Sequence, residues 1–318
     1  MKSISYILTG LIYLGIATYI LHISTLSLFV LDQVRILENV TDIQLGGIPV
    51  FITLFPVIIP IPLKGMELAI FLTILYTIFT LYDLLRKVDG ERPLKQVFTL
   101  GSIVLVASLV IEMIQSSVGI ETGMLETENQ YIFFLGAMDA PLSEEIGFRV
   151  FIIGIASFII YLAKGGEFNP TEALISLIQP FKVHDYESGL KTLYKLVVIQ
   201  AVLFGFAHLL GGGGWEIGKV TTATIAGIYL GYLFVKYGVT SAILGHAYFN
   251  IYLLTLSFAS YVGVETNNML MANYADLLFI YILLFGGIYM LVYVYRFVKP
   301  SEKREEMDKW SNIDFQTT

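Results

Sequence analysis

Glu144 and Glu145 stand side by side in a strongly apolar stretch, and Arg149 follows one helical turn later. On a helix Glu145 and Arg149 share a face, in the favourable order of acid before base. They can neutralise each other where water is scarce. Glu144 then points about 100° away around the axis and finds no partner in its own segment. A carboxylate held away from bulk water in this way can take and return a proton during hydrolysis. The same three residues also fit a plainer role, a structural ion pair plus one bond to another helix.

Two more polar groups interrupt apolar runs further on. His208 lies one turn after Phe204, on the same face, just before the run Gly211-Gly212-Gly213-Gly214. A lone histidine of this kind is most often a helix-packing hydrogen bond, and the glycines read as a turn that lets backbone approach closely. His246 and Asn250 again lie four apart on one face, with Gly245 beside them to permit close helix contact. Such a pair can bond a neighbouring helix or donate to a developing oxyanion. The other two histidines, His22 and His184, fall in the first apolar run and in a long insert. Each signal alone is weak. Together they supply a base, a second base or ligand, and donors, which is the inventory for attack by an activated water.

The elements that must carry these groups are membrane helices. Hydrophobic residues make up 56% of the chain and charged residues 14%, with a mean hydropathy of +0.75. Soluble domains average about 25% charged residues. No cysteine is present, so disulfides, thiolate metal sites and cysteine nucleophiles are excluded. A net charge of −7 without a basic patch gives no surface for nucleic acid.

Continuous apolar runs long enough to cross a bilayer predict an all-α polytopic transmembrane helical bundle of about eight spans. They fall at roughly 4–31, 66–85, 97–117, 134–163, 194–211, 219–236, 238–258 and 275–297. The first is read as a retained helix rather than a cleaved leader, because no small-x-small site follows it. The fourth is too long for one simple crossing, and Pro141 is expected to mark its true start. The stretch 47–63 holds Pro49, Pro56, Pro60 and Pro62 and cannot form an undisturbed helix. It reads as a re-entrant or interfacial segment. Within the insert 164–193, the ALISLI core reads as a short amphipathic helix or as part of a solvated connector. Three regions result: 1–96 with N-terminal helices and the proline-rich segment, 97–258 as the helical core, and 259–318 with the last helix and a charged tail.

Lys and Arg crowd the segments after spans two, four, six and eight, while the loops 118–130 and 259–274 carry none. The positive-inside rule then puts both termini in the cytoplasm of a multi-pass protein, with the cell membrane as the expected location. It also places Glu144 and His208 at matching depth, near the outer ends of their spans.

The three motifs resemble the signature of the CAAX protease and bacteriocin-processing family of intramembrane proteases, which includes the type II CAAX prenyl endopeptidases. Glu-Glu-x-x-x-Arg matches Glu144, Glu145 and Arg149; Phe-x-x-x-His matches Phe204 and His208; His-x-x-x-Asn matches His246 and Asn250. The resemblance covers roughly 97–258. It implies that Glu144 activates water with help from His208, that His246 and Asn250 stabilise the oxyanion, and that Glu145 and Arg149 hold the first helix. It implies either a zinc ion, with Glu144, His208 and His246 as the ligand set, or no cofactor at all. The compact His-Glu-x-x-His zinc signature is absent. The implied partners are the lipid bilayer and a peptide or protein substrate at the membrane, such as a prenylated CAAX tail. Prenyl endopeptidases of this family cut at the cytosolic face, which conflicts with the outer-end placement from charge. A proton-coupled transporter using the same carboxylates and histidines, or a non-catalytic scaffold, are the alternative readings.

Overall fold

The structure, a computed structural model, describes residues 10, 47–51, 56–60, 65–123, 130–185, 189–211, 213–250, 280–281, 283–292 and 294–295. The first span, His22, the loop 259–274, both termini and the charged tail lie outside the described residues.

The proline-rich stretch is an antiparallel hairpin of β1, Gly47–Phe51, and β2, Pro56–Pro60. Proline removes backbone donors that a helix interior needs, and a two-stranded edge tolerates that loss. The remaining described elements are helical. They are α1 (Gly65–Leu85), α2 (Pro93–Ser117), α3 (Gln130–Glu145), a π-helix (Ile146–Gly154), α4 (Ile155–Ala163), α5 (Pro170–Ile178), α6 (Lys191–Leu210), α7 (Ile217–Tyr237), and α8, helical over 239–250. A further helical stretch covers 283–292. Five stretches are long and apolar enough to cross a membrane: Glu67–Leu85, Pro93–Ser117, Leu135–Ala163, Lys191–Leu210 and Ile217–Tyr237. They coincide with five of the eight expected spans.

Polarity is distributed as in a membrane bundle. Ile74, Ile78, Met113, Ile159, Ile199 and Leu203 are more than half exposed, whereas Glu145 and Arg149 are wholly buried. The apolar interior is built from α1, α2, α7 and α8, through Leu72, Phe98, Leu105, Leu233, Phe234 and Tyr248.

The α6–α7 pair is the tightest contact. A Cβ on Gly231 would lie 2.6 Å from Val197 Cγ1, and one on Gly227 would lie 3.0 Å from the Ala201 Cα. Without a hydrophobic force between helices in lipid, small residues let van der Waals packing hold them. Gly205→Ala is therefore expected to destabilise by about 1–3 kcal/mol through overpacking. Its Cβ would stand 2.3 Å from Thr224 Oγ1 and 2.6 Å from the Val220 carbonyl oxygen. Thermal unfolding in detergent checks this against Gly136→Ala, where a Cβ meets nothing within 4 Å. Equal midpoints for the two variants would contradict the packing argument.

One expectation needs correction. Pro141 does not start its helix but lies inside α3. Helix interiors reject proline because a carbonyl four residues back loses its donor. Here that carbonyl, of Ala137, is reached by Asn250 Nδ2 at 3.4 Å, and the adjacent Met138 carbonyl accepts from Tyr76 Oη. Donors from two other helices thus repair the break. Of the two readings of the insert 164–193, the short helix over ALISLI is present as part of α5. Asn169 caps α5 by accepting from Thr171 N at 2.8 Å, and α5 lies so close to the π-helix that a Cβ on Gly154 would sit 2.5 Å from the Leu177 carbonyl oxygen.

His184 anchors the far end of this insert. Its Nε2 lies 3.0 Å from both the Ser157 hydroxyl and the Ser157 carbonyl oxygen, in a buried position. Burial holds its pKa below 6.5, against the opposing pull of the Ser157 bond. An undocked insert therefore binds the proton more readily than the docked one. The contribution of His184 is complete above pH 6.5 and declines as pH falls below it. Amide exchange over 170–185, corrected for its intrinsic pH dependence, should speed up between pH 7.5 and 5.5 and lose that response in His184→Gln. Exchange that ignores pH in the unsubstituted protein would refute the assignment.

Candidate active site

The two glutamates end α3, and Arg149 lies in the π-helix that continues from it. π-helical turns are rare and concentrate at functional sites. This one touches α3, α4, α5, α6, α7 and β1, so it is the hub of the described structure. Glu145 Oε1 stands 3.0 Å from Arg149 Nη1, and both side chains have zero exposure. The pairing expected from their spacing is present. Arg149 is further held by the Phe204 ring, 4.4 Å below its guanidinium carbon, and by the Gly227 carbonyl at 3.4 Å from Nη2.

His246 comes to this pair from α8. Its Nδ1 lies 2.7 Å from Glu145 Oε1, and its Nε2 lies 3.8 Å from Glu144 Oε2. A carboxylate accepts, so Nδ1 carries the proton and Nε2 is turned toward Glu144. Glu145 therefore both balances Arg149 and orients His246, which is the arrangement of base and orienting carboxylate found in hydrolytic triads. The Glu144 side chain is 29% exposed and, among the described residues, makes no hydrogen bond to protein. It is the accessible carboxylate of the two.

His208 stands at the end of α6. Its Nδ1 donates to the Phe204 carbonyl at 2.9 Å, which leaves Nε2 as its working nitrogen. Phe204 is the common wall: its ring contacts those of Phe148, His208 and His246 at 5.0, 4.7 and 6.0 Å. His208 feels the charges of both Glu144 and His246. Five of the seven motif residues, Glu144, Glu145, Arg149, His208 and His246, thus gather about a sixth, Phe204. Asn250 lies one turn from His246 on α8, but one of its amide hydrogens goes to Ala137; the amide has a second to offer.

The expected zinc ligand set does not assemble. Among the described residues no group of three or more His, Cys, Asp or Glu side chains is placed to share an ion. Each histidine bonds through Nδ1, His246 to Glu145 and His208 to the Phe204 carbonyl, which leaves Nε2 of both as the nitrogen for a ligand.

Three neighbours escaped the sequence reading. Asp139 is 3% exposed with Oδ1 unpartnered, and it interacts unfavourably with the Glu144 charge. It met the same criterion as the glutamates, an acid inside an apolar run. Lys219, in the first turn of α7, is attracted to Glu144, and its ammonium sits 3.8 Å above the Trp215 ring. Trp215 in turn lies 6.4 Å from the His208 ring. A lysine near a span end reads simply as an interface anchor, so nothing in the chain marked it.

Helix ends place this cluster in the bundle. Residues 121–123 bond to 215–218 at one end, while Lys236 meets Glu91 at 2.7 Å at the other. Glu144, His208 and Lys219 belong to the first of these ends, in agreement with the matching depth inferred for Glu144 and His208. Residues 128–252 match the family described as type II CAAX prenyl endopeptidase Rce1-like. The match contains all three motifs and the π-helix, and covers less than half of the chain. The family that this segment resembles is one of peptidases, and the matched residues lie in helices long and apolar enough to cross a membrane. No curated protein and no solved structure matches the chain.

Proposed function

We propose that the protein is an intramembrane endopeptidase that hydrolyses a peptide bond of a membrane-associated substrate, of which a prenylated CAAX-type tail is one candidate. The observation that supports this best is the Glu144–His246–Glu145–Arg149 chain, with its accessible carboxylate at one end and a buried guanidinium at the other.

In this reading Glu144 removes a proton from water as the water oxygen bonds to the scissile carbonyl carbon. Negative charge moves onto the carbonyl oxygen. In its imidazolium form His246, held through Nδ1–H by Glu145, donates Nε2–H to that charge, and Asn250, one turn on along the same helix face, offers its second amide hydrogen. His208, which feels the Glu144 charge and has Nδ1 committed to the Phe204 carbonyl, uses Nε2 to assist its proton transfers. The carbon–nitrogen bond then breaks, and the proton held by Glu144 passes to the departing amine. Phe204 and Arg149 keep the helices in register. The products are a carboxylate and an amine, with one water consumed.

Purified protein in lipid nanodiscs should cleave a lipid-anchored reporter peptide and keep doing so after treatment with a strong zinc chelator. Activity lost on chelation and restored by zinc would overturn the metal-free route. Proton-coupled flux with no cleaved product would overturn the peptidase reading altogether.

A further inference from the structure

The corner between α7 and α8 is held by two residues that lie apart from the catalytic cluster. α7 ends at Tyr237, and Gly238 alone turns the chain into α8. Gly238 has φ +94°, and a Cβ there would lie 2.9 Å from the Ile178 carbonyl oxygen, so the corner needs glycine. Asp83 and Arg86, at the end of α1, close over it. Asp83 has zero exposure, and its Oδ1 accepts from Arg86 Nε at 2.8 Å. It also accepts from Thr240 Oγ1 at 2.9 Å and from Ser241 Oγ at 2.5 Å. Arg86 Nη2 donates to the Tyr237 carbonyl at 2.5 Å, to Ser241 Oγ at 3.0 Å and to Thr240 Oγ1 at 3.3 Å. Each hydroxyl thus gives its hydrogen to Asp83 and takes one from Arg86.

A buried acid in a membrane-crossing helix is costly, and here its cost is offset by the helix ends that the pair meets. The guanidinium sits at the C-terminus of α7, where carbonyls lack partners, and the carboxylate at the N-terminus of α8, where amides do. Bonds of this charge-assisted kind are roughly twice as strong as neutral ones. Further along α8 the contacts are of other kinds. A Cβ on Gly245 would lie 2.6 Å from Leu233 Cδ1, a close approach that limits the spacing from α7. Tyr248 Oη and Ser102 Oγ form a neutral bond to α2 at 2.6 Å. The direction in which α8 leaves the corner is set at its first turn, by Asp83 and Arg86. At about 1.5 Å of rise per residue His246 lies ~7.5 Å beyond Ser241, so a tilt of roughly 8° about that turn moves it by about 1 Å. The contact of His246 Nδ1 with Glu145 Oε1 is 2.7 Å, and a shift of that size takes it out of hydrogen-bond reach.

We infer that the Asp83–Arg86 pair is a positioning device for His246: it fixes the direction and rotation of α8 at its first turn, and so keeps His246 Nδ1 on Glu145. The inference rests on the peptidase reading of His246 and its neighbours. Asp83 and Arg86 are positioning residues, acting on the chemistry through the backbone of α8. They give α1 a part in the reaction, although it lies outside the family match at 128–252.

The test uses the full chain in phosphatidylcholine nanodiscs, with isotope-labelled histidine and NMR detection of the imidazole Nδ1–H protons. The His246 signal is identified by its loss in His246→Gln. Asp83→Asn removes the charge at the corner. Thr240→Val/Ser241→Ala removes both hydroxyls and leaves the ion pair, which keeps the test open should Asp83→Asn fold poorly. Both variants should displace or broaden the His246 signal and lower kcat for a lipid-anchored reporter peptide roughly tenfold to hundredfold, with KM within about twofold of the parent. Glu91→Gln is the control. It removes an ion pair to Lys236 and a bond from Tyr237, both on α7 at the same end of the bundle. It should leave the His246 signal and kcat at parental values. Parental kcat in the corner variants, a fall in kcat with the His246 signal in place, or equal effects from Glu91→Gln would each overturn the positioning role. A His246 signal displaced by the corner variants, in a protein whose unsubstituted chain cleaves nothing, leaves the coupling standing and removes the peptidase reading.

Discussion

Glu144→Gln will leave the protein folded and bring peptide cleavage down by at least roughly a hundredfold to ten-thousandfold, the usual contribution of a positioned base. The fold is expected to survive because the Glu144 side chain is part-exposed and bonds to no protein group among the described residues. Its amide replacement has the same shape and cannot accept the water proton. His246, Glu145 and Arg149 keep their contacts with one another, so their arrangement is not disturbed. Thermal midpoints should agree between the variant and the unsubstituted protein. Cleavage of the reporter peptide at an undiminished rate would remove Glu144 from the role of base and with it the proposed mechanism. Glu144→Asp refines the test: it keeps the charge but withdraws it by one methylene, and partial activity is the expected outcome if position matters as much as charge.

The second large effect lies in stability. Arg149→Met should cost about 3–5 kcal/mol, because it strands the Glu145 charge in a site of zero exposure. That is a large share of the ~5–15 kcal/mol available to a typical folded protein. Arg149→Lys should not restore it, since an ammonium cannot reproduce the planar guanidinium between Glu145, the Phe204 face and the Gly227 carbonyl. Adding Glu145→Gln to Arg149→Met removes both charges, and most of the stability should return. Activity should not return with it, because His246 then has an amide rather than a carboxylate opposite Nδ1. Unfolding midpoints and cleavage rates measured on the four members of this cycle separate the two roles of Glu145. An Arg149→Met protein as stable as its parent would show that the pair carries no such burden.

The contrast between these experiments reflects a division within the adjacent glutamates. One turn of helix geometry predicted that Glu145 meets Arg149 and that Glu144 points elsewhere, and the 3.0 Å contact agrees. The same geometry could not predict that Glu145 also orients His246. Those residues are 101 positions apart, and their meeting depends on how α8 is rotated against α3. Asn250 shows the same limit from another side. Its spacing from His246 marked it as a donor, but its bond to Ala137 exists because Pro141 vacates that carbonyl on another helix.

The amino-acid sequence alone determined that this chain is a helical membrane protein, and which residues form the three motifs. Both follow from composition and from spacing along single helices, where covalent geometry decides the neighbours. The tertiary structure alone decided that the motifs converge on Phe204, that a π-helix carries Arg149, and that Asp139, Lys219 and Trp215 join the site. It also brought Asp83 and Arg86, at the end of α1, to the corner of α7 and α8. These depend on how closely helices approach, and that is governed by small residues such as Gly205, Gly227 and Gly231 meeting specific partners across the bundle. Such contacts join positions far apart in the chain, so no periodicity within one segment records them.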